Sequence, residues 1–436
     1  MSLSIQNVEI KKLFGYYDYD LRKGDNSTKD LSNLLILYGD NGSGKTTILK
    51  IIFYLLSTEL AKGHKSELVI TKFEKISIFF NDGLSIHALR EPNELLGAYT
   101  LVAKEDGVKV FSHKISLDKE NSIIIDDELI KYYSYIQKRN VSIFYLSDKR
   151  FLNIVGGHSE FDFNDNDDSD LYSSIHDPRR RSKRGLERDF DENLLNRTIE
   201  RVTKKFQIKN FAGSKKGEQD TYYIYKEIIK RIAFSDKKEN IEVVDLKLDY
   251  FIDEFKKLSN ICFEYSKYGL ISQFNYEEFE EILNTVKNSK KSIIYNVLEP
   301  FTNGLKAKIE ALKDLYELID LFVQNVNLYL NNKLLKFNID EGFRIEYMDK
   351  EEIKPLDLSS GEKQLMLLLC NAILAGGKAT LFLIDEPEIS LNIKWQRQLL
   401  DSLLRFTKNG NSQYIIASHS LEILATHKNN VVKLEM

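Results

Sequence analysis

The residues best equipped for chemistry lie towards the two ends of this 436-residue chain. Gly39-Asp40-Asn41-Gly42-Ser43-Gly44-Lys45-Thr46 fits the spacing G-x-x-x-x-G-K-[ST]. Glycines let a backbone wrap closely around a polyphosphate and turn its N–H groups inward. In such a loop the lysine reaches the β- and γ-phosphates and the hydroxyl holds magnesium. The expected ligands of ATP are therefore Asn41, Gly42, Ser43, Gly44, Lys45, Thr46 and Thr47, with Thr46 on the Mg2+ ion. Towards the other end, Asp385 and Glu386 close an apolar run. One carboxylate there can bind the magnesium shell and the next can polarise a water. Asp385 is the second expected metal ligand and Glu386 the expected general base. The competing reading, an ordinary acidic strand-to-loop turn, weakens beside a phosphate loop.

Two further segments invite chemistry. In Leu358-Ser359-Ser360-Gly361-Glu362, a serine followed three residues later by glutamate reads as a capping box at a helix start. It also reads as a second phosphate-binding surface, made of hydroxyl, glycine backbone and helix N-terminus. The residues leave both open, and Ser359, Ser360, Gly361 and Glu362 are candidate nucleotide contacts on the second. In Ala417-Ser418-His419-Ser420, His419 follows a strand and could reach the γ-phosphate or the attacking water.

These groups need elements to hold them. Leu34-Leu35-Ile36-Leu37-Tyr38 reads as a buried strand, and Ile48, Ile51, Ile52, Leu55 and Leu56 recur on one helical face. The phosphate loop thus lies between strand and helix, the context it requires. Residues 379–384 form a strand-like apolar run, the mark of a parallel strand covered on both faces, and 413–417 read as a second strand of the same sheet. Ligands bind at the carboxyl ends of such strands, where Asp385, Glu386 and His419 fall.

In this order, the phosphate loop, LSSGE, LFLIDEPE and ASHS resemble the motifs of ABC-type P-loop ATPases. Walker A falls at 39–46, the signature at 358–362, Walker B at 381–386 and the switch histidine at His419. Asn392 stands where that family usually carries the D-loop aspartate. LSSGEKQ departs from the LSGGQ of transporter subunits, and about 300 residues separate loop from signature. Both features resemble the SMC, RecN, RecF and OLD-like ATPases, in which a lobe is inserted into the nucleotide-binding domain. The match covers roughly 1–60 and 331–436.

The resemblance implies an α/β P-loop NTPase domain split in sequence (1–150 and 331–436) with a mainly helical insertion at 151–330. It further implies a homodimer or higher oligomer that sandwiches ATP, each Walker A facing the partner's signature. The family's Q-loop glutamine is not matched: Gln137 is off the expected strand, and the strand at 142–146 leads instead to Asp148 and Arg150.

Residues 61–150 alternate strand-like runs with turns, as in the β-rich part of such a domain. Glu160, Asp162, Asp165, Asp167, Asp168 and Asp170 precede Pro178-Arg179-Arg180-Arg181-Ser182-Lys183-Arg184, which reads as an exposed charged loop near 160–185. Residues 190–335 are helical in pattern without sustained heptads. Pro300 is expected to interrupt them, giving a compact lobe rather than a long arm. Residues 334–339 and 343–347 form an expected hairpin.

Composition limits the rest. Net charge is −4, so no global basic character advertises nucleic acid, although nucleic acid stays open as a partner. Two distant cysteines, Cys262 and Cys370, give no zinc spacing and no disulfide framework. With no signal-like or membrane-length apolar run, a cytoplasmic protein off the membrane is expected. By resemblance to the stand-alone ATPases of the anti-phage systems Septu and PARIS, the expected role is a slow ATP-driven switch. It would assemble and control a separate effector, a nuclease or toxin. A RecF- or SMC-like ATPase acting on DNA in repair or recombination is the alternative, and an ATP-binding scaffold a third reading.

Overall fold

The computed structural model describes residues 4–21, 33–59, 64–118, 123–139, 142–148, 152–155, 184–233, 241–285, 291–375, 380–406 and 412–435. The charged loop expected near 160–185 lies almost wholly outside them, as does Arg150. The chain divides into two compact units, Met1–Glu187 with Asn371–Met436, and Arg188–Cys370.

The first unit holds two six-stranded sheets. One is antiparallel, with β1 (Ile5–Leu13) between β2 (Tyr17–Asp20) and β4 (Lys75–Phe80), continued by β5 (Leu84–Leu89), β6 (Tyr99–Glu105) and β7 (Val108–Ile115). Period-two alternation puts Val8, Ile10, Ile76, Ile78, Ile86, Ala88, Leu101 and Ala103 on one face, where all are buried in the core. The other sheet has the order β15-β3-β14-β13-β8-β9. It is built from β15 (Val431–Lys433), β3 (Leu34–Tyr38), β14 (Ser412–Ala417), β13 (Thr380–Asp385), β8 (Ser142–Leu146) and β9 (Leu152–Val155). All its pairings are parallel except that of β9 with β8. Its central strands are buried on both faces, as their apolar runs require.

Helix α1 (Lys45–Leu56) packs on this parallel sheet, and the five apolar residues that predicted its face are all buried. Its C-terminal carbonyls are held by a fully buried lysine from α2 (His64–Ile70). Lys65 Nζ donates to the carbonyls of Tyr54 (2.5 Å), Leu55 (2.5 Å) and Ser57 (3.2 Å). Three donors suit the open carbonyls at the end of a helix, while burial pulls the Lys65 ammonium well below its ordinary value. Helix α3 (Asp127–Gln137) adds Tyr132, whose hydroxyl donates to the Leu55 carbonyl.

The second unit is mainly helical: α4 (Arg184–Ala233), α5 (Ile241–Ser266), α6 (Tyr276–Thr285), α7 (Lys291–Tyr329) and α8 (Ser360–Ala375), of which the ends of α4 and α8 reach into the first unit's residues. At a rise of about 1.5 Å per residue, the 50 residues of α4 extend roughly 75 Å. Pro300 does not interrupt the helix as expected; it lies inside α7. The proline removes one backbone donor, yet it is buried and followed by Leu312 and Ile319 against the neighbouring helices, so packing overrides local propensity. The expected hairpin is present as β10 (Lys333–Asn338) and β11 (Gly342–Tyr347), with β12 (Glu352–Ile353) beside it. The Asn327 side chain locks it to α7, exchanging hydrogen bonds with the backbone N–H and carbonyl of Leu335. Phe206, Phe337, Phe343 and Phe322 pack around that junction. These contacts draw residues 331–370 into the compact helical unit, whereas the boundaries expected from the motifs, 150 and 331, group them with the nucleotide-binding part.

Candidate functional site

The loop between β3 and α1 has the backbone its glycines permit. Gly42 and Gly44 adopt φ of 89° and 88°, the left-handed region open to glycine. Gly44 is also packed closely: a methyl group there would meet Leu13 at 3.0 Å and the Phe14 ring at 3.2 Å. Ser43 bridges back to the Asp40 carbonyl, and the first helical hydrogen bond runs from Ile48 N–H to the Gly44 carbonyl. The N–H groups of Lys45, Thr46 and Thr47 thus form the open first turn of α1, where anions are favoured. Asn41 and Gly42 are exposed at the rim.

Lys45 Nζ donates to the carbonyls of Gly39 (2.8 Å) and Asp40 (3.1 Å). Burial pulls its ammonium below the ordinary lysine value, and the carboxylates of Glu386, Asp385, Asp40 and Glu388 pull the other way. Thr46 Oγ1 donates to Asp385 Oδ1 at 3.1 Å, a contact between residues 339 positions apart. Sheet register makes it: β13 delivers Asp385 opposite Ala417, and β14 lies next to β3. Burial raises the Asp385 carboxyl to about 6; the Thr46 hydroxyl opposes this, while Asp148 and Glu386 add to it.

The backbone turns sharply after Asp385. Glu386 has φ of 47°, and its N–H donates to the Ala417 carbonyl at 2.8 Å. Its carboxylate lies 3.4 Å from His419 Nε2, both side chains being about 30% exposed. Glu386, His419 and the phosphate loop therefore meet at one edge of the parallel sheet.

The fit of a magnesium ion can be tested on the polar atoms themselves. Among the described residues, Asp385 Oδ2 and Ser43 Oγ are buried with no hydrogen-bond partner. Buried polar atoms are rarely left so. A carboxylate oxygen beside the Thr46 hydroxyl is a donor set suited to a hard divalent cation that keeps several waters. The residues present fit Mg2+ with phosphate.

The residues of the second unit stand by themselves. Ser359 and Glu362 form the capping box read from the sequence: Ser359 N–H donates to Glu362 Oε2 at 2.7 Å, and Glu362 N–H to Ser359 Oγ at 3.4 Å. Burial pushes the Glu362 carboxyl up, but Lys333 at 2.8 Å and Ser359 outweigh this and hold it below its ordinary value. Glu362 is committed to this cap, Ser359 and Ser360 are exposed and Gly361 is buried.

The structure adds Tyr19, Tyr16, Tyr17 and Glu388 to the residues singled out from the sequence, and places those left open there. Tyr19 donates its hydroxyl to the Ser43 carbonyl at 2.7 Å, tying the first hairpin to the phosphate loop. Tyr16 and Tyr17 pack edge-to-face beside it, with Tyr16 exposed. Asp148 lies in the turn two residues after β8, within electrostatic reach of Asp385, at the position left open for a Q-loop. Gln137 lies on the last turn of α3. Glu388 was legible only as the third acid of Asp385-Glu386-Pro387-Glu388. Asn392 caps α9 (Ile393–Phe406), accepting from Trp395 N–H at 2.9 Å.

A protein-family model described as "AAA domain, putative AbiEii toxin, Type IV TA system" matches residues 34–425. The chain belongs to this family of AAA-type P-loop ATPases. Among curated proteins, the family member is similar to the molybdenum import ATP-binding protein ModC of Pectobacterium atrosepticum. The two are 40% identical over 81 residues, 19% of this chain and 22% of ModC. It is also similar to UvrABC system protein A of Clostridium tetani, 28% identical over 197 residues, 37% of this chain and 20% of that protein. The chain spans about a fifth of the length of these curated relatives. Among solved structures it is similar to the Smc head domain from Pyrococcus furiosus, which has an extended coiled coil and is bound to the C-terminal domain of ScpA. Identity is 14%, the alignment covers 99% of this chain and 93% of that one, and the TM-score is 0.39. No helix among the described residues is long and apolar enough to cross a membrane.

Proposed function

We propose that this ATPase-family member binds and hydrolyses Mg–ATP at the edge of its parallel sheet and works as a switch for a separate effector protein. The observation that carries the reading is the hydrogen bond from Thr46 to Asp385, which joins the two halves of the sequence into one pocket beside Lys45. Lys45 and the N–H groups of 42–47 hold the phosphates, and Thr46 with Asp385 holds the ion. Magnesium, when bound, neutralises phosphate charge. Glu386 accepts a proton from the attacking water, and His419, 3.4 Å away, orients that carboxylate. The exposed Ser359 and Ser360, at the N-terminus of the 16-residue helix α8, suit a second copy's nucleotide, so the site is completed in a homodimer.

The defence setting draws on the family description, which names a putative toxin of a type IV toxin–antitoxin system. On this reading the chain belongs to an anti-phage defence complex, and the toxic activity resides in the effector. The alternative, an ATPase acting on DNA in repair, draws on the segment shared with UvrA.

The test has two arms. Lys45→Ala is expected to abolish ATP binding in calorimetry, and undiminished binding would move the site elsewhere. Glu386→Gln is expected to slow hydrolysis about a hundredfold or more and to accumulate an ATP-bound dimer on sizing with magnesium. A protein that stays monomeric with ATP refutes the sandwich, and ATP turnover that rises with added duplex DNA favours the repair reading.

A further inference from the structure

Glu388 follows Glu386 by two residues and turns its carboxylate to the loop of His419. One of its oxygens, Oε1, accepts three hydrogen bonds from three successive residues: Ser418 Oγ (2.7 Å), His419 N (2.7 Å) and Ser420 N (3.0 Å). Consecutive N–H groups converging on one point make a concavity that an anion fills. Charge-assisted bonds of this kind are short and strong. A neutral amide oxygen in the same place would lack the negative charge that three converging donors favour. The other oxygen, Oε2, is buried without a hydrogen-bond partner. The carboxylate also acts on Lys45, so it stands within electrostatic reach of the phosphate-binding ammonium.

Each end of this contact is tied to a reacting group. On one side Ile389 N–H donates to the Glu386 carbonyl and Leu391 N–H to the Glu388 carbonyl, making one tight turn of residues 386–391. That turn leads through Asn392 into α9. On the other side Ser418 is fully buried, its N–H donating to the Leu37 carbonyl. Ser420 caps α10 (Leu421–Thr426), accepting from Ile423 N–H. The Glu388 carboxylate therefore joins the loop of His419 to the turn of Glu386, beside the backbone bond from Glu386 N–H to the Ala417 carbonyl and the bond from Ser420 Oγ to Gln396 Oε1.

We infer that Glu388 is a positioning residue of the ATPase site, which clamps the loop of His419 to the turn of Glu386 and so sets the 3.4 Å contact between those two side chains. The inference rests on the hydrolysis reading above. Glu388 takes no proton and touches no substrate in this scheme; it acts through His419.

The test uses the full chain. Steady-state ATP hydrolysis and equilibrium ATP affinity are measured for the wild type, Glu388→Ala, Glu388→Gln, His419→Ala and the double variant Glu388→Ala/His419→Ala. Glu388→Ala is expected to lower kcat by roughly ten- to a hundredfold, the scale of a misplaced catalytic group. Its ATP affinity should stay within about threefold of wild type, which a general collapse of the site would not permit. Glu388→Gln keeps an acceptor oxygen and should recover part of the loss. The double variant should be no slower than His419→Ala by more than about twofold, since both changes act through one unit.

Wild-type turnover in Glu388→Ala overturns the inference, as does loss of rate and affinity together, or a double variant whose losses multiply. Should Glu388→Ala fail to fold, Glu388→Gln decides alone: severalfold slower turnover at unchanged affinity supports the clamp, and full turnover refutes it. If the wild type hydrolyses no ATP, the underlying reading falls and the inference with it. If the wild type hydrolyses ATP and Glu388→Ala does so equally, this inference alone is wrong.

Discussion

Removing the charge of Asp385 should stabilise the metal-free protein and abolish its response to Mg–ATP. The Asp385 side chain is 2% exposed, and one of its oxygens is buried without a partner. Its carboxyl is raised from 3.8 to about 6 in the fold. A carboxyl so raised favours the protonated form, so its stabilising share is present below pH 4 and is lost as pH rises through 6. At pH 8 the ionised group therefore costs the fold about 3 kcal/mol, from about 1.4 kcal/mol for each tenfold change in proton affinity. Asp385→Asn removes this cost and keeps an oxygen to accept from Thr46, but its new amide N–H groups must be satisfied. The net gain expected is about 1–2 kcal/mol at pH 8. Ligand reverses the order: at a hundred times Kd, Mg–ATP should stabilise the wild type by about 2.7 kcal/mol and the variant hardly at all. The assay is chemical denaturation at pH 8 and pH 5, with chelator and with Mg–ATP. The apo advantage of the variant should shrink at pH 5, where the native carboxyl is protonated. A variant less stable than wild type with chelator at pH 8, or one still stabilised by Mg–ATP, refutes the reasoning.

Other tests reach parts of the fold far from the reacting atoms. Lys65→Met keeps the length of the side chain but leaves three carbonyls at the end of α1 without their donor, which should cost about 2–4 kcal/mol in urea unfolding; a loss under about 0.5 kcal/mol would show that water or a shifted helix end replaces the lysine. His87 is buried between Ser77 and Ser85, and burial, with Lys104 and Lys75 facing it, lowers its imidazole to about 4. A lowered histidine is neutral in the fold, so its share of stability is present above pH 6.5 and is lost as pH falls towards 4; with solvent screening this amounts to about 1–2 kcal/mol. His87→Gln should flatten that part of the pH profile, and an unchanged acid slope would assign it to other groups. Gly44→Ala should weaken ATP binding and destabilise by about 1–2 kcal/mol, because φ of 88° and contacts at 3.0–3.2 Å both oppose a methyl group; unchanged affinity would show that the loop relaxes.

The reach of the sequence differs from element to element for physical reasons. The phosphate loop, its strand and its helix were legible because the pattern is local: five residues of β3 and one face of α1 carry it within a short span. The ends of β13 and β14 were legible because strand-like apolar runs announce a parallel sheet. The order of that sheet was not, since β3 pairs with β14 through contacts nearly four hundred positions apart. The interruption expected at Pro300 failed because helix propensity is a weak prior once Leu312 and Ile319 are buried around the same helix. The capping box at Ser359 and Glu362 held because it needs four residues alone, but its tie to Lys333 could not be foreseen. Glu388 escaped notice for the opposite reason: a surface acid and a clamp look alike until the loop of His419 is placed beside it.

The places where this chain breaks local rules gather at one edge of the parallel sheet. Glu386 is a non-glycine residue in the left-handed region and directly precedes Pro387, where extended backbone is the norm. Such a conformation costs roughly 1–2 kcal/mol and persists only where its surroundings enforce it. Here the enforcement is visible: Asp385 is fixed in the sheet, the Glu386 N–H is bound to Ala417, and the following turn is held by Glu388. An acidic residue that merely ended a strand could relax to extended backbone and point its carboxylate to solvent. Held as it is, it faces His419, two residues from the clamp and beside Asp385, one of whose carboxylate oxygens is buried without a hydrogen-bond partner. Strain, an unsatisfied oxygen and converging charge at one point are what a site built to receive a metal-bound triphosphate requires, and a site built only for stability would have removed all three.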